Sequence, residues 1–187
     1  MVYYFGFLAL FALRKVLDQR RSRRQLEELS ATRRILPTRD RAYPYLLATH
    51  LAFFILTPLE ILGFQRTFIP PLGIAMIGLF MAATLLRWWS TALLREHWSS
   101  MVAVPEDLTP VTGGPYRIIR HPNYLAMSLE LLAIGLMYSA FLATMVVTVL
   151  NLTAVVLRIR SEEEVLFQIP AYRAAMERKF RFIPGIY

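Results

Sequence analysis

Five apolar segments restrict what this chain can fold into more than any other feature. A transmembrane α-helix needs about 20 predominantly apolar residues. The segments 43–63, 68–89 and 139–157 reach about that length, whereas 1–17 and 123–138 are shorter. Because a bilayer offers no water to backbone N–H and C=O groups, helices are expected throughout. The sequence therefore predicts an all-α membrane protein with about five transmembrane helices, folded as one domain over residues 1–187.

Basic residues are distributed unevenly between the connections of this arrangement. The chain has 21 Lys and Arg residues against 13 Asp and Glu residues. With five spans, all of the basic residues except Arg66 lie on one side. The positive-inside rule makes that side cytoplasmic. We therefore expect the N-terminus outside and the C-terminus in the cytoplasm. The basic stretch 18–34 is typical of an amphipathic surface helix that meets anionic lipid, and no nucleic-acid partner is expected.

Composition excludes several kinds of site. The chain has no cysteine, and its three histidines are dispersed, so no metal-site spacing occurs. The sequence also contains no phosphate-binding glycine loop or other common catalytic motif. The N-terminal charges follow the first apolar run, whereas a cleaved signal peptide has them before it. We expect that run to be retained as a span.

The densest cluster of polar residues stands at the start of the fourth apolar segment, in "GGPYRIIRHPNY". Gly113, Gly114 and Pro115 predict a turn. Pro122 suits the first position of a helix, with His121 near its cap. One interpretation is a capped helix start whose arginines bind lipid head groups. The other is a site at the membrane edge for a ligand with a carboxylate and an aromatic base.

Glu130 lies within the fourth apolar segment, about 12 Å past Pro122 at the helical rise. A carboxylate at that depth must be paired, protonated or hydrated. Asn123, Met127 and Glu130 follow helical spacing and share one face. Glu130 is therefore either part of a site or a structural hydrogen-bond partner between helices. His50 and Glu60, in the second segment, are expected to serve packing or hydrogen bonding.

A second polar face runs along the fifth segment, through Asn151, Val155, Arg158 and Glu162. The simplest interpretation is a helical ion pair between Arg158 and Glu162. Asn151 lies at about the depth of Glu130, judged from the helical rise. The sequence-based hypothesis is that Glu130 and Asn151 meet across a pocket, with His121, Arg158 and Glu162 at its mouth.

Two stretches carry a resemblance to a known family. "LTPVTGGPYRIIRHPNYLAMSLE" and the later "VLRIRSEEEVL" resemble the isoprenylcysteine carboxyl methyltransferase family of integral membrane methyltransferases. "YPYLLATHLAFFILTPLE" and "RHPNYLAMSLE" look most like bacterial members that O-methylate alkylpyrones and alkylresorcinols. The chain has Leu125, Ala126 and Met127 where small residues follow the tyrosine in the prenylcysteine enzymes, which argues against that acceptor.

The resemblance implies a cytoplasmic-side pocket for S-adenosylmethionine, formed by the segments 90–122 and 158–187 of a bacterial inner-membrane protein. It places Arg158 near the reacting centre. The residues implied in cofactor binding are Tyr116, Arg120, His121, Pro122, Tyr124, Glu162 and Glu163.

These features predict methyl transfer to an oxygen of a lipidic acceptor. Glu130 or His121 would act as general base for a hydroxyl acceptor, and Arg158 would orient a carboxylate acceptor. Asn151 and Met127 are predicted to line the acceptor pocket. A phospholipid N-methyltransferase, a sterol-type reductase that uses a nicotinamide cofactor and a lipid-binding membrane scaffold remain as alternatives.

Overall fold

A computed structural model describes residues 2–36, 42–94 and 104–182. Within these ranges the chain is helical and has no strand, only two isolated bridges. The predicted all-α class is therefore confirmed. A 3₁₀ helix over Gly114–Arg117 precedes the fourth α-helix. The six α-helices are α1 (Val2–Thr32), α2 (Tyr43–Gly63), α3 (Pro70–Leu94), α4 (Pro122–Met137), α5 (Phe141–Leu166) and α6 (Pro170–Met176).

All five predicted spans are helices. In the part of the chain that the structure describes, α2, α3 and α5 are long and apolar enough to cross a membrane, and α4 is a shorter apolar helix. The helix α3 extends to Leu94, five residues beyond the predicted span. Large apolar side chains such as Leu85 and Met145 lie exposed on the outer face of these helices. Exposed apolar surface of this kind is typical of contact with lipid.

The helix α1 differs from its prediction. The sequence suggested a span over 1–17 and a separate surface helix over 18–34, but a single helix of 31 residues runs through both. Its residues 7–32 contain neither proline nor glycine and are rich in Leu, Arg, Glu and Ala. These residues favour helix, so nothing in the sequence interrupts it. The residues of α1 change from apolar to polar along its length, but the helical backbone is not interrupted.

The helix connections define two ends of the bundle. The α2–α3 and α4–α5 connections lie together at one end, where the hydroxyl of Ser139 donates to the carbonyl oxygen of Thr67 at 3.0 Å. Both are the tight hairpins that the sequence predicted. The other end, here called the motif end, carries residues 33–36, 104–121 and 167–182. Of the predicted segments 90–122 and 158–187, residues 95–103 and 183–187 lie outside the described residues.

Aromatic packing fills the bundle near the end that carries the α2–α3 and α4–α5 connections, here called the hairpin end. Phe11 of α1 meets Phe53 of α2 and Phe80 of α3, with ring centroids about 6 Å apart. The hydroxyl of Tyr4 donates to the carbonyl oxygen of Ile134 at 2.9 Å, which fixes the start of α1 against α4. Edge-to-face contacts of this kind add to the free energy gained by burial alone. They hold α1 against the other helices.

Glu60 stabilises the start of α5. Its buried carboxylate accepts hydrogen bonds from the backbone N–H groups of Leu142, at 3.2 Å, and Ala143, at 2.6 Å. Arg66 pairs with the same carboxylate at 2.9 Å. The first N–H groups of a helix have no partner within it and carry partial positive charge. The predicted hydrogen-bonding role of Glu60 is confirmed.

Replacement of this carboxylate should destabilise the bundle. In Glu60→Ala, two helix-terminal N–H groups and Arg66 lose their acceptor, and we expect a loss of about 1–3 kcal/mol. Thermal unfolding in detergent measures the effect. The exposed Glu27→Ala on α1 is the control and should unfold like the wild type. Equal midpoints for the two variants would contradict the capping role.

Candidate functional site

The segment before α4 folds as its residue types predict. Gly114 has φ of +55°, and a Cβ there would lie 2.7 Å from a methyl carbon of Leu93. Only glycine fits both conditions. Pro115 continues the turn into the 3₁₀ helix, and Pro122 occupies the first turn of α4. His121 directly precedes α4, but its side chain makes no capping hydrogen bond to that helix.

The His121 ring instead meets Glu163 of α5. The buried Glu163 carboxylate lies 3.3 Å from Nε2 of His121 and accepts hydrogen bonds from Arg120 at 2.7 Å and Arg181 at 2.8 Å. The backbone N–H groups of Arg120 and His121 also donate to the carbonyls of Phe180 and Arg181. Glu163 therefore joins the start of α4 to the C-terminal segment. Its contacts are those of a residue that holds the site together.

Tyr124 forms a second polar cluster with two residues of α5. Its hydroxyl accepts a hydrogen bond from Nε of Arg158 at 2.9 Å and donates to Oε2 of Glu162 at 2.7 Å. Arg158 is fully buried, whereas Glu162 is only half-buried. The phenol thus bridges the two residues that the sequence suggested as a helical ion pair. The two neighbouring acids have different partners, because Glu162 faces Tyr124 and Glu163 faces Arg120 and His121.

Tyr116 lies beside this cluster in the apolar core of the motif end. Its hydroxyl donates to the carbonyl oxygen of Ser90 at 3.4 Å. Burial raises the pKa of Tyr116 well above its usual value, and the negative charge of Glu162 raises it further. The same two causes, in the same order, raise the pKa of Tyr172. Both phenols therefore stay protonated at neutral pH. The negative charge of Glu162 therefore acts on both phenols.

Glu130 and Asn151 do not meet, so the predicted contact between them is wrong. The Glu130 carboxylate is fully buried and pairs with Arg14 at 2.5 Å and Arg87 at 3.0 Å. The amide of Asn151 donates to the hydroxyl of Ser128 at 2.7 Å. Positions 128 and 130 point to nearly opposite faces of α4, because two residues span about 200° of helix. The helical rise gives Glu130 and Asn151 a similar depth, but it does not give the direction in which each side chain points around its helix axis.

The alternative role for Glu130, as a structural partner between helices, is confirmed. Besides the two arginines, Lys15 lies 3.6 Å from its Oε2, and the hydroxyl of Thr84 donates to Oε1 at 3.2 Å. Arg87 also pairs with Asp18 at 2.9 Å. Glu130 therefore ties α4 to α1 and α3.

A cavity of about 590 Å³ lies beside this charged cluster, between α1, α2 and α4. Its apolar wall includes Leu46, Leu51 and Phe54. Met127, predicted to line the acceptor pocket, lines this cavity, whereas Asn151, predicted with it, is not among the lining residues that the structure describes. Tyr124 lines it too. The same tyrosine thus lines the cavity and contacts Arg158 and Glu162 through its hydroxyl.

Several polar residues of the cavity wall were not predicted as site residues, among them one from each of three helices. Lys15, His50 and Arg87 line the cavity from α1, α2 and α3. In the sequence, Lys15 and Arg87 indicated only the topology, and His50 was expected to serve packing or hydrogen bonding. The available signal was that all three are ionisable groups within or next to an apolar segment, as Glu130 is. The spacing of residues in a single sequence could not show that these three side chains, which come from three helices, meet at one cavity.

Two comparisons with known proteins match large parts of the chain. The model of the Isoprenylcysteine carboxyl methyltransferase (ICMT) family matches residues 76–168, which run from α3 to just beyond α5 and include Arg120, His121, Tyr124, Arg158 and Glu162. The chain is also similar to "Uncharacterized protein YpbQ" of Bacillus subtilis (strain 168), with 31% identity over 127 residues, or 66% of this chain and 73% of that protein. The protein belongs to the isoprenylcysteine carboxyl methyltransferase family, whose members are membrane methyltransferases.

Proposed function

We propose that the protein uses S-adenosylmethionine to methylate an oxygen of a lipidic acceptor. The observation that carries this proposal is the position of Tyr124. Tyr124 lines an apolar cavity between the helices, and its hydroxyl contacts Arg158 and Glu162. A cofactor held by the two charged residues and an acceptor held in the cavity would meet at this tyrosine.

The residues around Glu162 suit S-adenosylmethionine chemically. The guanidinium of Arg158 suits the carboxylate of the cofactor, and Glu162 suits its amino or ribose hydroxyl groups. The aromatic faces of Tyr116, Tyr124 and Tyr172 suit adenine and the positive sulfonium. When bound, the cofactor supplies an electrophilic methyl group. The chain's own contribution is to bind it, to orient the acceptor oxygen near 3 Å from that methyl group and to exclude water.

The other predicted cofactor residues support this site indirectly. Arg120, His121 and Glu163 contact one another, and Pro122 begins the helix that carries Tyr124. We assign these four residues to positioning Tyr124 and Glu162. Their contacts connect α4, α5 and the C-terminal segment, so they fix the relative placement of both site helices.

Two general bases were predicted, and neither fits that role. Glu130 is saturated by cations and is absent from the described cavity wall, and the His121 ring is turned toward Glu163. A base must come within hydrogen-bonding reach of the proton that it removes. We therefore propose that the acceptor oxygen is acidic enough to ionise without either residue. Arg158 and Tyr124 are the residues we place at the reacting centre.

The apolar cavity wall supports a lipidic acceptor. Leu46, Leu51 and Phe54 of α2 provide a surface for an alkyl chain, and the outer faces of α1 and α2 are apolar and exposed. An acceptor dissolved in the bilayer would have its tail beside α2 and its polar head near Tyr124.

A labelled transfer assay tests the function. The protein is placed in nanodiscs made from bacterial lipid extract, with S-adenosylmethionine carrying a labelled methyl group. We expect label in the lipid fraction as a methyl ester or ether, identified by mass spectrometry. If the label is found on the nitrogen of phosphatidylethanolamine, the protein is instead a phospholipid N-methyltransferase. Absence of both cofactor binding and transfer would leave the lipid-binding scaffold.

The neighbouring acids should respond differently to the same substitution. Glu162→Gln removes the proposed cofactor contact, and we expect the Kd for S-adenosylmethionine to rise at least about tenfold with little change in thermal stability. Glu163→Gln removes the buried acceptor of Arg120 and Arg181, and we expect a loss of about 3 kcal/mol of stability. Titration calorimetry and thermal unfolding separate the two effects.

The exposed Glu164→Gln is the matched control and should leave both cofactor affinity and stability unchanged. If Glu162→Gln binds the cofactor as the wild type does, Glu162 is not a cofactor residue. If Glu163→Gln unfolds like Glu164→Gln, the bracing role of Glu163 is wrong.

We propose that the motif end faces the cytoplasm of a bacterial inner membrane, with the N-terminus outside. The basic residues concentrated at that end support this orientation. Because the chain has no cysteine, Thr67→Cys and Gln168→Cys each provide a single label site, one at each end. A maleimide that cannot cross membranes should label Thr67→Cys in intact spheroplasts, and Gln168→Cys only after lysis. The reverse pattern would contradict the orientation.

A further inference from the structure

The polar part of the cavity wall contains hydrogen-bonding groups that protein partners do not use. Lys15 lines the cavity and its ammonium group is buried. It lies 3.6 Å from Glu130 and 4.9 Å from the Phe11 ring centre. Within the described ranges its nitrogen makes no hydrogen bond, although an ammonium group has three donors. A buried donor without an acceptor is costly, so a ligand oxygen in the cavity would stabilise it.

The charges around Lys15 favour an anionic oxygen. Arg14, Lys15 and Arg87 bring three positive charges, against the negative charges of Glu130 and Asp18. One positive charge is left in excess in this cluster, and the exposed Arg20 and Arg23 add two more at the cavity wall. Away from water this excess acts strongly on a nearby charge, because the screening there is weak. A neutral or cationic head group would leave it uncompensated.

Two further groups of the wall are acceptors. His50 has Nδ1 2.8 Å from the carbonyl oxygen of Leu46. A carbonyl only accepts, so Nδ1 carries the hydrogen and Nε2 of the neutral ring is an acceptor. The side-chain oxygen of Asn123 is buried with no hydrogen-bond partner among the residues described. Both residues line the cavity. They suit a hydroxyl group, which can donate a hydrogen bond to either.

We propose that Lys15, His50 and Asn123 form a head-group site that selects lipidic acceptors with an ionised oxygen and a neighbouring hydroxyl. Lys15 donates to the ionised oxygen, and His50 or Asn123 accepts from the hydroxyl. The inference rests on the proposed function in treating the cavity as the acceptor site. It narrows the acceptor to alkyl lipids, such as hydroxy acids, whose head group carries an ionised oxygen and a hydroxyl close to it.

Binding of four alkyl probes of equal chain length tests the proposal. The probes are hexadecanoate, the same acid hydroxylated at its third carbon, the diol of matching length, and hexadecyltrimethylammonium. Affinity is measured in nanodiscs by calorimetry without cofactor. For the wild type we expect the hydroxylated acid to bind most tightly, the plain acid next, and the diol and the ammonium probe at least about tenfold more weakly.

Lys15→Met removes the donor, and Arg14→Met is its matched control. Arg14 pairs with the same Glu130 carboxylate but is not among the described cavity-lining residues. We expect Lys15→Met to weaken both acids at least about tenfold. Arg14→Met should weaken them by a clearly smaller factor, because it removes a positive charge but no direct contact. Equal weakening by both variants would overturn the direct contact, because loss of net charge alone would then explain it.

His50→Phe tests the hydroxyl subsite. We expect this variant to bind the plain acid as the wild type does and to lose the preference for the hydroxylated acid. A preference that survives in both His50→Phe and Asn123→Leu would contradict the assignment of the hydroxyl contact.

Failure of this inference can be told apart from failure of the proposed function. Wild-type protein that binds S-adenosylmethionine and transfers methyl groups, yet binds all four probes equally, would overturn the head-group site alone. Protein that shows the expected probe selectivity but neither binds nor uses S-adenosylmethionine would support the head-group site as a lipid-binding site and overturn the methyltransferase assignment.

Discussion

A buried carboxylate in a membrane bundle must be paired, and three buried glutamates hold this fold at three levels. At the hairpin end, Glu60 joins α2 to the start of α5 and to Arg66. Farther along, Glu130 joins α4 to cations of α1 and α3. At the motif end, Glu163 joins α5 to Arg120 and Arg181. Burial of apolar side chains between helices gains little hydrophobic free energy in lipid, which is itself apolar, so close packing and polar contacts hold such helices together. These charged contacts therefore act with the aromatic packing of α1 to align the helices.

The site depends on a division of roles between adjacent acids. Glu163 binds the cations of the motif and C-terminal segments, which leaves Glu162 to contact Tyr124. The 100° between consecutive helix positions turns the two carboxylates in different directions. The same rotation places Glu130 toward α1 and α3, and Ser128 toward Asn151. Adjacent positions of one helix thus serve different purposes: Glu163 makes structural contacts, and Glu162 belongs to the proposed cofactor site.

Much of the fold followed from the sequence because its determinants are local. Apolar length located the helices, and Gly114 and Pro122 marked the turn and the start of α4. The continuous α1 was missed because a change in polarity was taken for a change in structure. The partners of Glu130 were missed because pairing between distant segments depends on how each helix is rotated. A single sequence gives the depth of a residue along a helix, but not the direction in which neighbouring helices face.

The shared position of Tyr124 has a thermodynamic consequence. Tyr124 belongs to the cavity wall, and its hydroxyl belongs to the Arg158–Glu162 cluster. A molecule in the cavity that fixes this side chain would also fix the hydroxyl, and so would lower the entropic cost of ordering the charged cluster. Binding linkage is reciprocal, so occupancy of the charged cluster would favour occupancy of the cavity by the same factor. A single side chain would thereby couple the proposed lipid ligand to the proposed cofactor.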